Sequence, residues 1–467
     1  MRTIALLLVL FALSLGGCDD DSNNSGFNNS NNVNNSNNVN NLNNLNNVNN
    51  VNNVQMAILR GRVWGPGSDD IGVADNNRFP VPGALVAVYT HGVDDPIDGN
   101  YCNECVELPE GVNHVITDVD GYFEITAYPN TNFKLLVQKG EFRRVTDFTT
   151  PGPGEAFDFE APVGMPSNPM TTLPNTHNPT GGQWIPKIAV IKGAWEQYMW
   201  VMLEALGFQY DGDRIVEISP DGGIGFPPPA SEADELLNNP TEMAKYNIII
   251  ITCGGSVAAL DSSEERTNLK NWVNNGGKLY VDDFSYDWAE QAWPEFLSFY
   301  VEDDNSGNMS SFVCGDGSSP DGIDACNNWT EYSPAGTAED AELAGWLGLT
   351  EVNRGESMIL HAAWDIIHEI TPGPQGECQE VEPDCRNNVA YHPPKVWMRG
   401  NAPGGHDNNP MTVSWNYYCG KVLYTVYHTH SENFDGDPKQ YNLLLQEKIM
   451  MYLLMEISTC TKPFVVE

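Results

Sequence analysis

The chain has 467 residues and is 41% hydrophobic, enough to bury two or three cores. Its 23 Lys and Arg stand against 63 Asp and Glu, a formal net charge of -40. A surface this acidic repels nucleic acid and attracts divalent cations, so the expected partners include no DNA or RNA.

Arg2 precedes an apolar run over residues 4–15, followed by Leu15-Gly16-Gly17-Cys18. The run is too short for a bilayer span and has the build of a secretory signal. Leu-Gly-Gly-Cys resembles the lipobox of bacterial lipoproteins, which implies that Cys18 is lipidated, becomes the mature N-terminus and partners the membrane. Residues 28–54 then repeat Asn-Asn-X, with X Ser, Val or Leu. This composition cannot bury a core and reads as a disordered tether. Over residues 19–55 it reaches on the order of 35 Å as a coil and about 125 Å when extended. The expected location is the cell envelope. The outer membrane or cell surface is favoured, and Asp19 keeps the periplasmic face of the inner membrane open, because it resembles the retention residue of some enterobacterial lipoproteins.

Short strands are expected at 58–64, 84–89, 114–117, 122–125 and 133–137, with turn residues between them and no helical period. That spacing indicates an antiparallel sandwich of about 100 residues. Pro80-Val81-Pro82-Gly83 and Thr117-Asp118-Val119-Asp120-Gly121-Tyr122-Phe123 resemble the carboxypeptidase regulatory-like (transthyretin-like) sandwich, a non-catalytic module. The Asp-x-Asp-Gly reads as a tight turn with Gly121 at positive φ.

A Pro/Asn/Thr-rich stretch, 164–185, reads as a linker. The pattern then changes. Strands are expected at 187–191, 246–252, 278–281, 358–362 and 421–426, and helices at 196–206, 235–245, 264–274 and 441–455. Alternating strands and helices imply a doubly wound, mainly parallel sheet. The expected organisation is multidomain: signal peptide 1–18, tether 19–56, an N-terminal all-β sandwich 57–163, linker 164–185, and a C-terminal α/β domain 186–462.

Three segments of the last domain resemble the class I glutamine amidotransferase-like superfamily and its trehalose-utilisation-type branch, implying a flavodoxin-like sheet. The run 246–255 is similar to the strand and oxyanion loop, ending at Gly254 and Gly255. Leu269 to Leu279 is similar to the helix and strand before the nucleophile elbow. The segment 420–432 is similar to the strand ending in His-x-Glu, here His430 and Glu432. Glutaminase chemistry needs a cysteine thiolate on a strained strand-to-helix turn, activated by a histidine. The elbow reads Tyr280-Val281-Asp282-Asp283-Phe284-Ser285, with an acid where the family has its cysteine. Amidotransferase activity is therefore not expected.

Nine cysteines remain besides Cys18. Cys102 with Cys105, Cys314 with Cys326, and Cys378 with Cys385 lie in polar, turn-rich stretches and read as disulfide staples, with Cys419 and Cys460 as a fourth pair. Cys253 is left over at the end of a buried strand as a reduced thiol. Two metal sites are candidates. His428, His430 and Glu432 alternate, so on a strand they share one face, where Asp282 or Asp283, at the end of a neighbouring strand, completes a zinc-type set. Against this stands an inherited hydrogen-bonded cluster. Asp316, Asp321 and Asp324 form an acidic loop suited to calcium, against a plain solvated loop. Three functions stay open. One is a non-catalytic envelope protein that binds a glycan, peptide or other envelope protein. The second is a metal-dependent or carboxylate-based hydrolase using His430, Glu432 and Asp283. The third is a structural surface protein in which calcium merely rigidifies the loops.

Overall fold

In the computed structural model the described residues are 55–101, 108–193, 198–219, 231–254, 260, 262–302, 309–314, 331–349, 358–370, 394–429, 434 and 436–458. The lipobox, the tether, the acidic loop with Asp316, Asp321 and Asp324, and Cys102, Cys105, Cys326, Cys378, Cys385, Cys460, Gly255, His430 and Glu432 lie outside them.

Strand β1 (Ala57–Arg62) pairs antiparallel with β4 (Tyr122–Ala127) and parallel with β7 (Ala156–Asp158). Along β4 exposed and buried residues alternate strictly, the period of a half-buried strand. A second sheet runs β3 (Asn113–Ile116), β2 (Leu85–Tyr89), β5 (Asn132–Lys139), β6 (Phe142–Thr149) and β8 (Gln183–Trp184). Leu59, Phe123 and Ile125 from the first sheet share one core with Val86, Leu135 and Val137 from the second. Strand β2 is buried on both faces, because Leu85, Ala87 and Tyr89 pack with Leu108 under the loop that precedes β3. The expected Asp-Gly turn is present: Asp118 Oδ1 accepts from the amides of Asp120 and Tyr122, at 3.0 and 2.8 Å. Gly121 has φ +70, and a Cβ there would meet Val63 O at 2.9 Å. The stretch read as a linker is ordered by its polar side chains. Asn168 and Asn178 cap one-turn helices, Thr171 and Leu173 are fully buried, and β8 closes the second sheet.

The largest sheet has nine strands. In sheet order these are β10 (Ile215–Ile218), β9 (Ile188–Ile191), β11 (Ile248–Ile251), β12 (Lys278–Asp282), β20 (Gly420–Thr425), β19 (His406–Tyr417), β18 (Lys395–Ala402), β15 (Ala335–Ala338) and β16 (Met358–Ile359). The four ladders from β10 to β20 are parallel. The four from β20 to β16 are antiparallel. The expectation of a mainly parallel sheet is corrected accordingly, because β15, β18 and β19, none of them expected as strands, join it through antiparallel ladders. The fully buried strands β9 and β11 are continuous aliphatic runs, as two-sided burial demands. A third sheet joins β14 (Met309–Cys314), β13 (Leu297–Glu302) and β17 (Ile367–Ile370). The protein is thus mostly β, with several sheets and few helices.

The helices are α1 (Met199–Ala205), α2 (Glu232–Leu237), α3 (Pro240–Met243), α4 (Ser263–Asn274), α5 (Asp287–Glu290), α6 (Ala341–Leu349) and α7 (Leu445–Ile457). The single helix expected at 235–245 divides into α2 and α3, because Asn239 caps a new turn opened by Pro240. Helix α4 starts on a Ser262/Glu265 capping box. The apolar interior is continuous from β1 to α7, and residues 55–467 form one compact unit. Trp346 of α6 packs on Phe79 and Tyr452 and donates Nε1 to Pro80 O at 3.0 Å. Asn247 Nδ2 donates to Gly99 O at 2.7 Å, and Lys139 Nζ meets Glu456 at 2.7 Å. No helix among the described residues is long and apolar enough to cross a membrane.

Candidate functional site

Strands β11, β12 and β20 are adjacent and parallel, so their carboxyl ends open onto one edge, where open sheets of this kind place ligands. Register fixes what meets there. Ile251 lies beside Val281, so Cys253 and Asp283, each two residues further on, arrive at the same height. Val281 lies beside Tyr424, and His428 follows from that strand.

Asp283 occupies the elbow. It begins the one-turn helix after β12 with φ +43, a left-handed conformation that asparagine and aspartate tolerate better than most residues. The turn is tied to the neighbouring strand end, where Ser285 Oγ donates to Thr252 O at 2.7 Å. The carboxylate is fully buried. Its Oδ1 accepts from Trp364 N at 2.9 Å. Its Oδ2 takes His428 Nδ1 at 2.6 Å and the Cys253 thiol at 3.6 Å. The Tyr424 hydroxyl donates to Asp283 O at 3.1 Å. One donor atom each from Cys253, Asp283 and His428 lie within 4.8 Å of one another, all three residues buried.

The shell around this trio is built for close approach. A Cβ on Gly193 would stand 1.8 Å from Cys253 O, so the backbone just after β9 can approach the Cys253 backbone this closely only with glycine there. Gln446 of α7 staples the far side: it accepts from His361 N at 2.7 Å and donates to His361 O at 3.1 Å and His428 O at 2.5 Å. Asp365, nearly fully buried, lies beside Asp283, and its carbonyl accepts from Tyr332 Oη at 2.6 Å. Burial pushes the Asp283 and Asp365 carboxyls well above the usual range, and for Asp365 the neighbouring Asp283 adds to the effect. Burial likewise raises the Tyr332 and Tyr424 hydroxyls.

The sequence candidates divide. Asp283 and His428 come together, with Cys253 rather than with the expected partners. Asp282 is fully buried as the last residue of β12, but its carboxylate is not among the converging donors. Strand β20 stops at Thr425, so the alternation argument for His428, His430 and Glu432 does not hold at His428. Gly254 follows the thiol at φ +77. Cys253 is a buried thiol outside any disulfide, as expected for the cysteine left over. Cys419 sits in the tight turn between β19 and β20. The roles of Cys253, Trp364, Asp365 and Gln446 escaped the sequence reading. Equal offsets from the ends of two parallel strands were the available signal for Cys253.

No protein-family model and no curated protein match the chain. Among solved structures, a ThuA-like protein from Parabacteroides merdae has 13% identity and a TM-score of 0.32, over 60% of this chain and 92% of that one. A cytoplasmic protein from Salmonella typhimurium LT2 has 12% identity and a TM-score of 0.32, over 58% and 98%. The GH42 β-galactosidase Gan42B has 14% identity and a TM-score of 0.27. That match covers 59% of this chain but only 30% of the β-galactosidase.

Proposed function

We propose that this chain is a lipid-anchored cell-envelope protein whose flavodoxin-like, amidotransferase-like half binds a ligand without transferring amide nitrogen. The ligand class is a glycan, a peptide or another envelope protein. The observation that carries this reading is the occupant of the elbow. Asp283 has the backbone conformation of a nucleophile, yet its carboxylate stands between the Cys253 thiol and His428 Nδ1. A thiol nucleophile needs the imidazole in the middle and the acid behind it. Asp283 is also a poor nucleophile itself, because burial favours its neutral form.

The test is ammonia release from glutamine by the full chain. The expected result is no release above the uncatalysed background. Release that disappears in Cys253→Ser would overturn the reading. The anchor is tested separately: Cys18→Ser should move the protein from the membrane fraction to the soluble fraction and abolish incorporation of labelled fatty acid. Unchanged fractionation and labelling would overturn the anchor.

A further inference from the structure

We propose that Cys253, Asp283 and His428 form a site for a divalent transition metal of the zinc class. This goes beyond the binding reading above and does not depend on it, since the metal site stands or falls by metal uptake alone.

Three features converge. First, the donor set is one thiol, one carboxylate and one imidazole, delivered by three adjacent strand ends. Soft sulfur with borderline nitrogen selects zinc, cobalt(II) or iron(II) over calcium or magnesium, which take oxygen alone. Second, the spacing is close to what coordination needs. With metal–sulfur near 2.3 Å and metal–oxygen near 2.1 Å, a tetrahedral ion places sulfur and oxygen about 3.6 Å apart. Cys253 Sγ and Asp283 Oδ2 are 3.6 Å apart. Nitrogen and oxygen need about 3.4 Å, against the present 2.6 Å between His428 Nδ1 and Asp283 Oδ2. A tilt of the imidazole by under about 1 Å supplies the difference, exchanging a hydrogen bond for two metal bonds.

Third, the surroundings hold the ligands in place. Trp364 N fixes the other oxygen of Asp283, Tyr424 Oη holds its carbonyl, and Gln446 holds the backbone of His428. Outer contacts of this kind orient metal ligands. Asp365 interacts with Asp283 through its side chain and is placed to serve as the hydrogen-bond partner of a bound water. Buried carboxylates are expensive unless paired or metal-bound, and Asp283 and Asp365 lie side by side in the interior. Binding displaces two protons to solvent, the thiol proton and the one held between Asp283 Oδ2 and His428 Nδ1, and leaves a thiolate, a carboxylate and a neutral imidazole on the metal.

The experiment uses the full chain in detergent, stripped with chelator and titrated with cobalt(II) alone, followed by absorption. The expected result is one cobalt per chain, with a thiolate-to-cobalt charge-transfer band and the visible bands of a tetrahedral ion, both removed by one equivalent of zinc. In Cys253→Ser the charge-transfer band is lost. In His428→Gln the band persists but affinity falls at least 100-fold. Zinc also protects Cys253 of the unaltered protein from alkylation, a readout that needs no variant. Absence of stoichiometric cobalt uptake in the unaltered protein overturns the proposal, as does a thiolate band that survives in Cys253→Ser. If a variant fails to show native circular dichroism, the alkylation result decides: equal labelling with and without zinc overturns the site.

Discussion

Trp346→Ala tests whether the sandwich and the nine-stranded sheet behave as one body. The indole is fully buried on α6. It meets the Phe79 ring edge-on at 5.7 Å on the sandwich side and the Tyr452 ring at 5.0 Å on α7. Removing a buried tryptophan side chain costs about 3–5 kcal/mol. The lost bond to Pro80 O leaves a half-buried carbonyl without that donor, adding about 1 kcal/mol. The expected loss is thus about 4–6 kcal/mol. Trp346→Phe keeps most ring contact and loses the bond, so about 2 kcal/mol is expected. The assay is urea unfolding of the protein, followed by circular dichroism and by tryptophan fluorescence. Both probes should report one transition, moved to lower urea with an unchanged slope. A loss under about 2 kcal/mol for the alanine variant, or two transitions of which only one moves, would refute the shared core.

Three further outcomes are expected. Burial pushes the Lys421 ammonium down to about 8 from 10.5, with Glu456 partly opposing. The folded state therefore releases this proton before the unfolded state does, and stability from this group rises between pH 8 and 10.5, by about 3 kcal/mol. Lys421→Met should remove that rise and be more stable than the native chain at pH 7; an identical pH–stability curve sinks the argument. Gly277→Ala puts a Cβ 2.4 Å from the Trp272 ring, which is itself held by a bond to Tyr246 O. A loss of about 3 kcal/mol is expected in thermal unfolding, and a loss under about 1 kcal/mol would mean that the ring moves freely. Gln446→Leu strips the staple between His361 and His428 and should cost about 2–3 kcal/mol through orphaned backbone groups; wild-type stability would count against it.

Much of the strand inventory was legible in the sequence. The runs at 187–191, 246–252 and 278–281 are aliphatic enough to be buried strands in any context, and β9, β11 and β12 lie within a residue or two of them. Helix α4 carries its capping box and its apolar face in plain view. What local pattern could not give was partnership across distance. Strands β18 and β19 have mixed polar content that gives no clean strand period, so most of the antiparallel half of the sheet was missed. The site shows the same limit. Asp283 and His428 were named, but Cys253 was set aside as a core thiol, because only the register of β11 against β12 brings it to the elbow. Trp364 and Gln446 enter through backbone and amide contacts that carry no sequence signature.

Strand β20 is the seam where the parallel ladder on β12 meets the antiparallel ladder on β19. The chain leaves β12 at Asp282 and does not return beside it until Gly420, having laid down β13 to β19 on the way. As the chain is made from its N-terminus, the long edge of β12 stays open throughout that excursion, with Cys253 and Asp283 already in place and His428 still to come. Closing so distant a pairing is slow, and an open edge beside an aliphatic strand invites wrong partners. The interval before β20 docks is therefore the period in which this protein most needs protection from self-association, and in which the Cys253 thiol is open to oxidation.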